Sequence, residues 1–494
     1  MDFSLSEWFR WLDKQVGFWG DQLWTWVMIP LVAVVGVYFT FGTGFAQIRL
    51  LPDMFRTLKD PTPRRADGTT QSISSFQAFT VSAASRVGVG NIAGVGTAIV
   101  LGGPGAVFWM WVMAFIGAAS SLIESTLGQA YKVRDADGFR GGPAYYIRRG
   151  LGSRGFGVWF AVVLIFSFPF AFSSLQANTI VSTISSTLGQ DTPSAGLSWA
   201  VAITLSALTA VVIFGGIRRI ASITDKLVPI MAILYLVIGL VIVAINWRGI
   251  PGMLFHIVAD AFTVNAATGG AVGTVILAGV KRGMFSNEAG LGSAPNAGAS
   301  AAVTHPVKQG LVQTLGVYFD TMLVCSITAF IILSSQPDLA GARKGVYLTY
   351  QAVTGPLGAW SGVLLTVIIF MLAFSSILGN YYYGESNVEF INPSPGLLFA
   401  YRALATLAVL GGSLAAASLV WKIADFMMAF MALTNLVAIL LLSRPAFELL
   451  KDYLGQRDQG KDPVFTKDRV ALPGYVEFWN SQDEVVGAVG RPQP

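Results

Sequence analysis

Apolar residues in this chain come in long runs separated by short polar segments. Eleven runs cover approximately residues 22–45, 76–103, 105–131, 156–188, 198–216, 226–246, 267–282, 309–335, 361–383, 397–413 and 417–442. About 20 apolar residues cross a hydrocarbon core as one helix, so the pattern predicts an all-α polytopic membrane protein of eleven transmembrane helices. Barrel strands would alternate in shorter segments, and no such alternation occurs in the pattern.

The second run contains a different pattern. Ser85-Arg86-Val87-Gly88-Val89-Gly90-Asn91-Ile92-Ala93-Gly94 lies in its middle. Each glycine costs a helix roughly 1 kcal/mol relative to alanine, so a continuous helix is not expected there. Broken backbone at membrane depth survives only where it is buried or lines a cavity. The run therefore predicts a discontinuous transmembrane helix, a device that builds ion and substrate sites in secondary carriers. Gly269-Gly270-Ala271-Val272-Gly273, near the start of the seventh run, predicts a second such helix.

Charge sets an orientation. With the N-terminus outside, the cytoplasmic segments hold 24 Lys and Arg, among them Lys281, Arg282 and Lys308, against five outside. That asymmetry favours N-out, C-in. Arg140 to Arg149 predicts a short interfacial segment with aromatic and basic anchors. The polar tail after Ser443 predicts a short cytoplasmic extension. The acidic, Trp-containing start does not match a secretory signal.

Composition narrows the chemistry. The chain is 54% hydrophobic and 12% charged, about half the charge of a soluble domain. Its net charge of +5 follows topology and is no nucleic-acid signature. Cys325 is alone, and His256 and His305 are far apart, so neither a disulfide nor a Cys/His metal site is expected. Gly455 to Lys461 mimics a phosphate loop, but Asp462 stands where Ser or Thr would hold Mg²⁺. Gly88 to Gly94 has the wrong spacing for a dinucleotide loop. Without a nucleotide motif, a secondary carrier or a channel is implied.

Four segments carry a family resemblance. Gly88-Val89-Gly90-Asn91-Ile92-Ala93-Gly94-Val95, Gly141-Gly142-Pro143-Ala144-Tyr145-Tyr146, Phe285-Ser286-Asn287-Glu288-Ala289-Gly290-Leu291-Gly292-Ser293-Ala294-Pro295 and Tyr381-Tyr382-Tyr383-Gly384-Glu385 resemble the motifs of the alanine or glycine:cation symporter family, in its order. The resemblance implies a LeuT-like fold of two inverted five-helix repeats. Residues 1–75 would hold an extra helix and a basic loop, 76–246 the first repeat, 267–442 the second and 443–494 the tail.

An amino-acid carboxylate at mid-membrane needs donors in place of water. Unwound backbone at Val89, Gly90 and Asn91 would offer free N–H groups at a helix N-terminus. Close helix packing is the alternative use of these glycines. Gln176 and Asn178 are candidate substrate contacts or interhelical bonds, as are Thr274, Gly269 and Gly270. The resemblance carries a sodium site onto Ser375 and Ser376, with the carbonyls of Ala84, Val87 and Leu372. Back-bonding of both serines to their own helix is the alternative.

Two residues depart from the family pattern. Arg86 stands where many members have a small or neutral residue, with Glu124 as its expected partner or snorkelling as the alternative. Asn380 stands where many have a bulky aromatic, implying a larger, more polar pocket. Asp320 is a candidate protonation site or a packed acid. Asn287 and Glu288 suit an inner gate or a helix cap.

The expected function is sodium-coupled symport of small neutral amino acids across a plasma membrane, with no covalent chemistry. The partners are the amino acid, sodium and the bilayer. A proton-coupled or passive carrier of the same fold and a non-transporting amino-acid sensor are the alternatives. A channel would be expected to show a repeated pore motif, which is missing from the sequence.

Overall fold

The computed structural model describes residues 5–487 apart from 66, 136–137, 191, 263–271, 340 and 344. It is helical throughout, with one two-stranded hairpin among the described residues. In chain order the main helices are α1 (Trp11–Gly42), α2 (Leu51–Leu58), α3 (Ser75–Arg86), α4 (Val89–Gly102), α5 (Gly105–Ala130), α6 (Pro143–Gly150), α7 (Arg154–Thr187), α8 (Ala195–Ile213) and α9 (Gly216–Ile245). They continue as α10 (Val272–Asn287), α11 (Pro306–Ser334), α12 (Ala359–Ile391), α13 (Pro395–Leu414), α14 (Ala417–Leu441) and α15 (Ser443–Asp458).

Among the described residues, nine single helices are long and apolar enough to cross a membrane, and the bent pair α3/α4 makes ten. Ten of the eleven expected spans are thus accounted for. The remaining one, 267–282, corresponds to α10, and its first residues lie outside the described ones. Several helices outrun their expected limits because polar residues inside them find partners. In α12, Glu385 is met by Arg402 of α13 at 3.1 Å. The helix containing α1 reaches back past Asp13 and Asp21, which pair with Lys422 and, at 3.1 Å, with Lys281.

The last contact corrects the placement of two basic residues. Lys281 and Arg282 were expected in a cytoplasmic segment. They sit instead at the end that holds Asp21, and both pair with Asp425 of α14.

A central layer places the site. α5 packs along α10 and α11, while α3 packs against α9 and α12. Segments expected at the surface are drawn into this layer. Tyr145 and Tyr146 of α6 are buried rather than interfacial, and the Tyr146 hydroxyl bonds Asn435 of α14.

The tail is also packed rather than a free extension. After α15 the chain runs over the end of the bundle, burying Phe465, Phe478 and Trp479 completely or nearly so. Lys132, just beyond α5, lies 4.0 to 4.5 Å from the ring centroids of Phe139, Phe478 and Trp479. Burial pushes its ammonium well below the ordinary lysine value, and the ring faces replace lost hydration. Arg149–Glu477 at 2.8 Å and Lys308–Asp462 at 2.7 Å fasten the same strap. These apolar residues are too sparse and irregular to make a periodic signal.

Replacing Trp479 by Ala is expected to cost about 3–5 kcal/mol, the usual range for a buried large aromatic. It should also release the strap. The checks are a lower Tm and faster tryptic cleavage after Lys467 and Arg469.

Candidate functional site

The first break is local in origin. A capping box of Ser74 and Gln77 starts α3, and the helix stops where Gly88 turns extended, at φ −126° and ψ −154°. The two halves meet at 60°. A Cβ on Gly88 would lie 2.4 Å from Ser376 Oγ and 2.7 Å from Gln176 Nε2. One on Gly90 would lie 2.7 Å from the Phe285 ring. Helices α7, α10 and α12 thus reach the main chain closely only because these two positions lack side chains.

The N–H groups freed by the break are not left open, as had been expected of Val89 and Asn91. Val89 N–H donates to Gln176 Oε1 at 3.0 Å, Gly88 N–H to Asn91 Oδ1 at 3.1 Å, and Asn91 N–H to the Gly88 carbonyl at 3.2 Å. A buried N–H without water must find a protein acceptor, and Gln176 is recruited for that purpose.

A break lies at the far end of α10. Gly273 is inside the helix, and Gly269 and Gly270 lie outside the described residues. The chain leaves the helix at Glu288 (φ 56°) and turns through Gly290 (φ 80°) and Gly292 (φ 79°). It re-enters a short helix at Ala294–Ala299. Glu124 of α5 accepts from the N–H groups of Gly290 (3.2 Å) and Gly292 (3.0 Å) and from Asn435 Nδ2 (2.6 Å). A side chain from another helix therefore satisfies this break too. Glu124 is not the hydrogen-bonding partner of Arg86. The Arg86 guanidinium donates twice to Gln313, to its carbonyl and to Oε1, each at 3.0 Å. It is buried, which excludes snorkelling.

Asn287 and Glu288 stand at the end of α10 and are buried, with Asn287 Oδ1 accepting from the Ala289 N–H at 3.0 Å as a helix-end cap. Ser85 Oγ lies 3.0 Å from Glu288 Oε1 and 2.7 Å from the Asn380 amide. Ser85 Oγ donates to Asn380 Oδ1, and Asn380 Nδ2 faces Ser173 Oγ of α7 at 3.5 Å. Here the polar groups satisfy one another.

Two polar clusters flank the first break. Ser376 Oγ donates toward the Ala84 carbonyl (2.8 Å) and the Leu372 carbonyl (3.0 Å), and Ser375 Oγ lies 2.9 Å from the same Leu372 oxygen. Both serines back-bond to their own helix, and Ser376 also bridges to α3. Four of the five expected sodium ligands thus share one neighbourhood, and the fifth, Val87, is the residue between α3 and Gly88. On the other side, Asp320 of α11 accepts from Asn91 Nδ2, Ser286 Oγ and Thr321 Oγ1. It is a packed, fully bonded acid.

Other expected contacts are engaged elsewhere. Asn178 Nδ2 donates to the carbonyls of Ala415 (2.7 Å) and Gly412 (3.3 Å), joining α7 to the end of α13. Thr274 is exposed and lines a cavity of about 490 Å³ with Thr97, Arg282, Gly345 and Trp421. Between this cavity and Gly90 lies an aromatic layer. Phe172 and Phe285 have centroids 4.7 Å apart, and Phe285 and Trp421 5.4 Å apart. Arg282 lies 4.8 Å from the Trp421 centroid and pairs with Asp425. Neither Phe285, Trp421 nor the Arg282–Asp425 pair was expected. A cation and an acid inside opposite apolar runs were the only signal.

The profile of the sodium:alanine symporter family matches residues 9–467. The chain belongs to this family. It is a multi-pass membrane transporter and not an enzyme. The chain is similar to the probable sodium/glutamine symporter GlnT of Bacillus subtilis, 44% identical over 472 residues, covering 96% of this chain and 97% of that one. It is also similar to the putative sodium/proton-dependent alanine carrier protein YrbD of the same organism, 38% identical over 476 residues, covering 93% and 96%. Among solved structures it resembles MhsT in complex with L-phenylalanine, with a TM-score of 0.53, 14% identity and coverage of 80% and 90%. That likeness establishes a LeuT-like fold.

In this family member, removing Glu124 should cost more than removing an ordinary buried acid. Glu124→Ala strands two backbone N–H groups, at about 1–3 kcal/mol for each buried donor, while Asn435 Nδ2 keeps the Gly290 carbonyl. Glu124→Gln retains an acceptor for the break. A large loss of Tm in the Ala variant and a smaller one in Gln is the expected result, read by thermal unfolding in detergent.

Proposed function

We propose that this protein is a sodium-coupled symporter of small neutral amino acids, working by alternating access. The observation that carries the reading is the broken backbone at Gly88–Asn91, with the Ser376, Ala84 and Leu372 oxygens beside it and Phe285 against Gly90. Sodium prefers several hard oxygen ligands. Ser375, Ser376 and the carbonyls of Ala84, Val87 and Leu372 supply them. The substrate carboxylate takes the N–H groups of Val89, Gly90 and Asn91 at the start of α4. Gln176, which accepts from the Val89 N–H, swings to the ligand. Asn380, one turn beyond Ser376 in α12, borders the substrate side chain. The glutamine and alanine in the names of the two Bacillus subtilis relatives are both neutral amino acids, which suits a substrate side chain set against the Phe172 and Phe285 rings.

The full architecture in this reading is eleven helices, α10 together with Ala294–Ala299 forming the second broken one, in two inverted repeats after α1. The N-terminus faces outward and the tail inward in the plasma membrane. The aromatic layer and the Arg282–Asp425 pair then close the outer approach.

A proton-dependent cycle is the second reading. It rests on Asp320, which touches the break through Asn91, and on the words "sodium/proton-dependent" in the YrbD name. Uptake of labelled alanine and glutamine into proteoliposomes separates the readings. Uptake driven by a sodium gradient supports the first, and uptake driven by a proton gradient without sodium supports the second. No uptake under either gradient would sink both.

Changing Ser375 and Ser376 together to Ala should raise the sodium concentration for half-maximal uptake at least several-fold. Substrate affinity measured at fixed sodium should weaken with it, because ligands that share one state are linked. Unchanged sodium dependence removes these hydroxyls from the site. Asn380→Trp should shift preference toward glycine and alanine, since an added indole excludes larger side chains. An unchanged ranking in a competition panel would mean that Asn380 does not border the pocket.

A further inference from the structure

Helix α2 divides its surface three ways. Asp53, Met54 and Thr57 face the protein and are buried. Leu51, Phe55 and Leu58, with Ile48 before them, line an open groove of about 580 Å³. Arg56 and Lys59, with Arg49 before them, are exposed on the adjoining stripe. At about 100° per residue these sets fall on three separate faces of one helix. The opposite wall of the groove is Phe79 of α3, Phe115 of α5 and Leu315, Tyr318, Phe319, Met322 and Leu323 of α11, so the lining is almost wholly apolar.

The acids of this segment are committed elsewhere. Asp53 meets Arg457 at 2.9 Å and Asp60 meets Lys308 at 2.7 Å. Among the described residues, Arg49, Arg56 and Lys59 make no ion pair, and Arg49 Nη1 donates to the Gly44 carbonyl at 2.9 Å. A short helix with an exposed apolar stripe beside a cationic one lies in the plane of a membrane interface. Cations there attract anionic headgroups.

We propose that the α2–α11 groove binds one anionic phospholipid from the leaflet at the tail-bearing end, its acyl chain along the groove and its phosphate at Arg49, Arg56 and Lys59. An acyl chain suits a wall that offers almost no polar atom. The phosphate suits three cations that lack acids of their own. Tyr318, Phe319 and Met322 flank Asp320 and Thr321 in α11, so the lipid packs on the back of the polar cluster that touches the first break.

The test uses the full-length protein in mild detergent, with phosphatidylglycerol or phosphatidylcholine added as mixed micelles. Phosphatidylglycerol should raise Tm and remain bound in native mass spectrometry, and phosphatidylcholine should do so far less. The triple change Arg49→Gln, Arg56→Gln, Lys59→Gln should weaken phosphatidylglycerol binding by on the order of 100-fold, at about 1 kcal/mol for each cation. Leu51→Gln with Phe55→Gln should also weaken it while leaving the cations in place. All five positions are exposed at the surface, Leu51 and Phe55 in the groove and the three cations beside it, so the fold tolerates these changes. Equal effects of the two lipids, or phosphatidylglycerol binding that survives both variants, would overturn the proposal. So would a Tm shift produced by inorganic phosphate alone, which would make the site one for a free anion. Disulfide-linked dimers of a Phe55→Cys variant in native membranes would assign the groove to a second copy of the chain and overturn it as well.

Discussion

Every backbone N–H and C=O at membrane depth must have a protein partner, because hydrocarbon offers none. Unbroken helices meet this demand within themselves. This protein breaks two helices in its interior, and each break borrows an acceptor from a helix remote in sequence. Gln176 of α7 takes the Val89 N–H, and Glu124 of α5 takes those of Gly290 and Gly292. The borrowed acceptors hold the bundle together at the places where its backbone is most open.

The same constraint links stability to transport. A partner that satisfies a break can also be displaced from it. Gln176 is a neutral amide, so its bond to the Val89 N–H can be exchanged without moving a charge of its own. Glu124 carries its own charge into the protein and is held by three donors, which suits a fixed joint. The two breaks differ in this respect although both are built from glycine-rich turns.

Buried charge follows a related rule. Lone ions at this depth are expensive, and most here are embedded in bonds. Asp320 accepts from three side chains, Arg282 pairs with Asp425 across the aromatic layer, and Lys132 sits among three rings. Arg86 differs, since its hydrogen bonds go to a neutral glutamine while its Nε has no partner. Its charge is offset only through space, by Glu124, Glu288 and Asp320, and a cation next to the break makes a second nearby cation less favourable. Any ion bound at Ser376 is therefore sensitive to how well Gln313 and the surrounding acids offset Arg86.

The amino-acid sequence by itself determined the helical spans, the first break and the residues that crowd it, because apolar run length and glycine density are local properties that need no fold. Gly88, Gly90, Gln176, Ser376, Ala84 and Leu372 were all legible in this way or through family motifs. The tertiary structure alone decided who meets whom. It revealed a break at Glu288–Gly292, turned Asn178 into a tie to α13, put Thr274 in a cavity beside Trp421 and gave Glu124 to a backbone turn instead of to Arg86. It also buried Arg282 against Asp425 and drew the tail aromatics into the interior. A polar side chain goes inside when a partner is waiting there, and the partner is usually hundreds of residues away. Hydropathy records the cost of burying such a group and carries no record of the bond that offsets it.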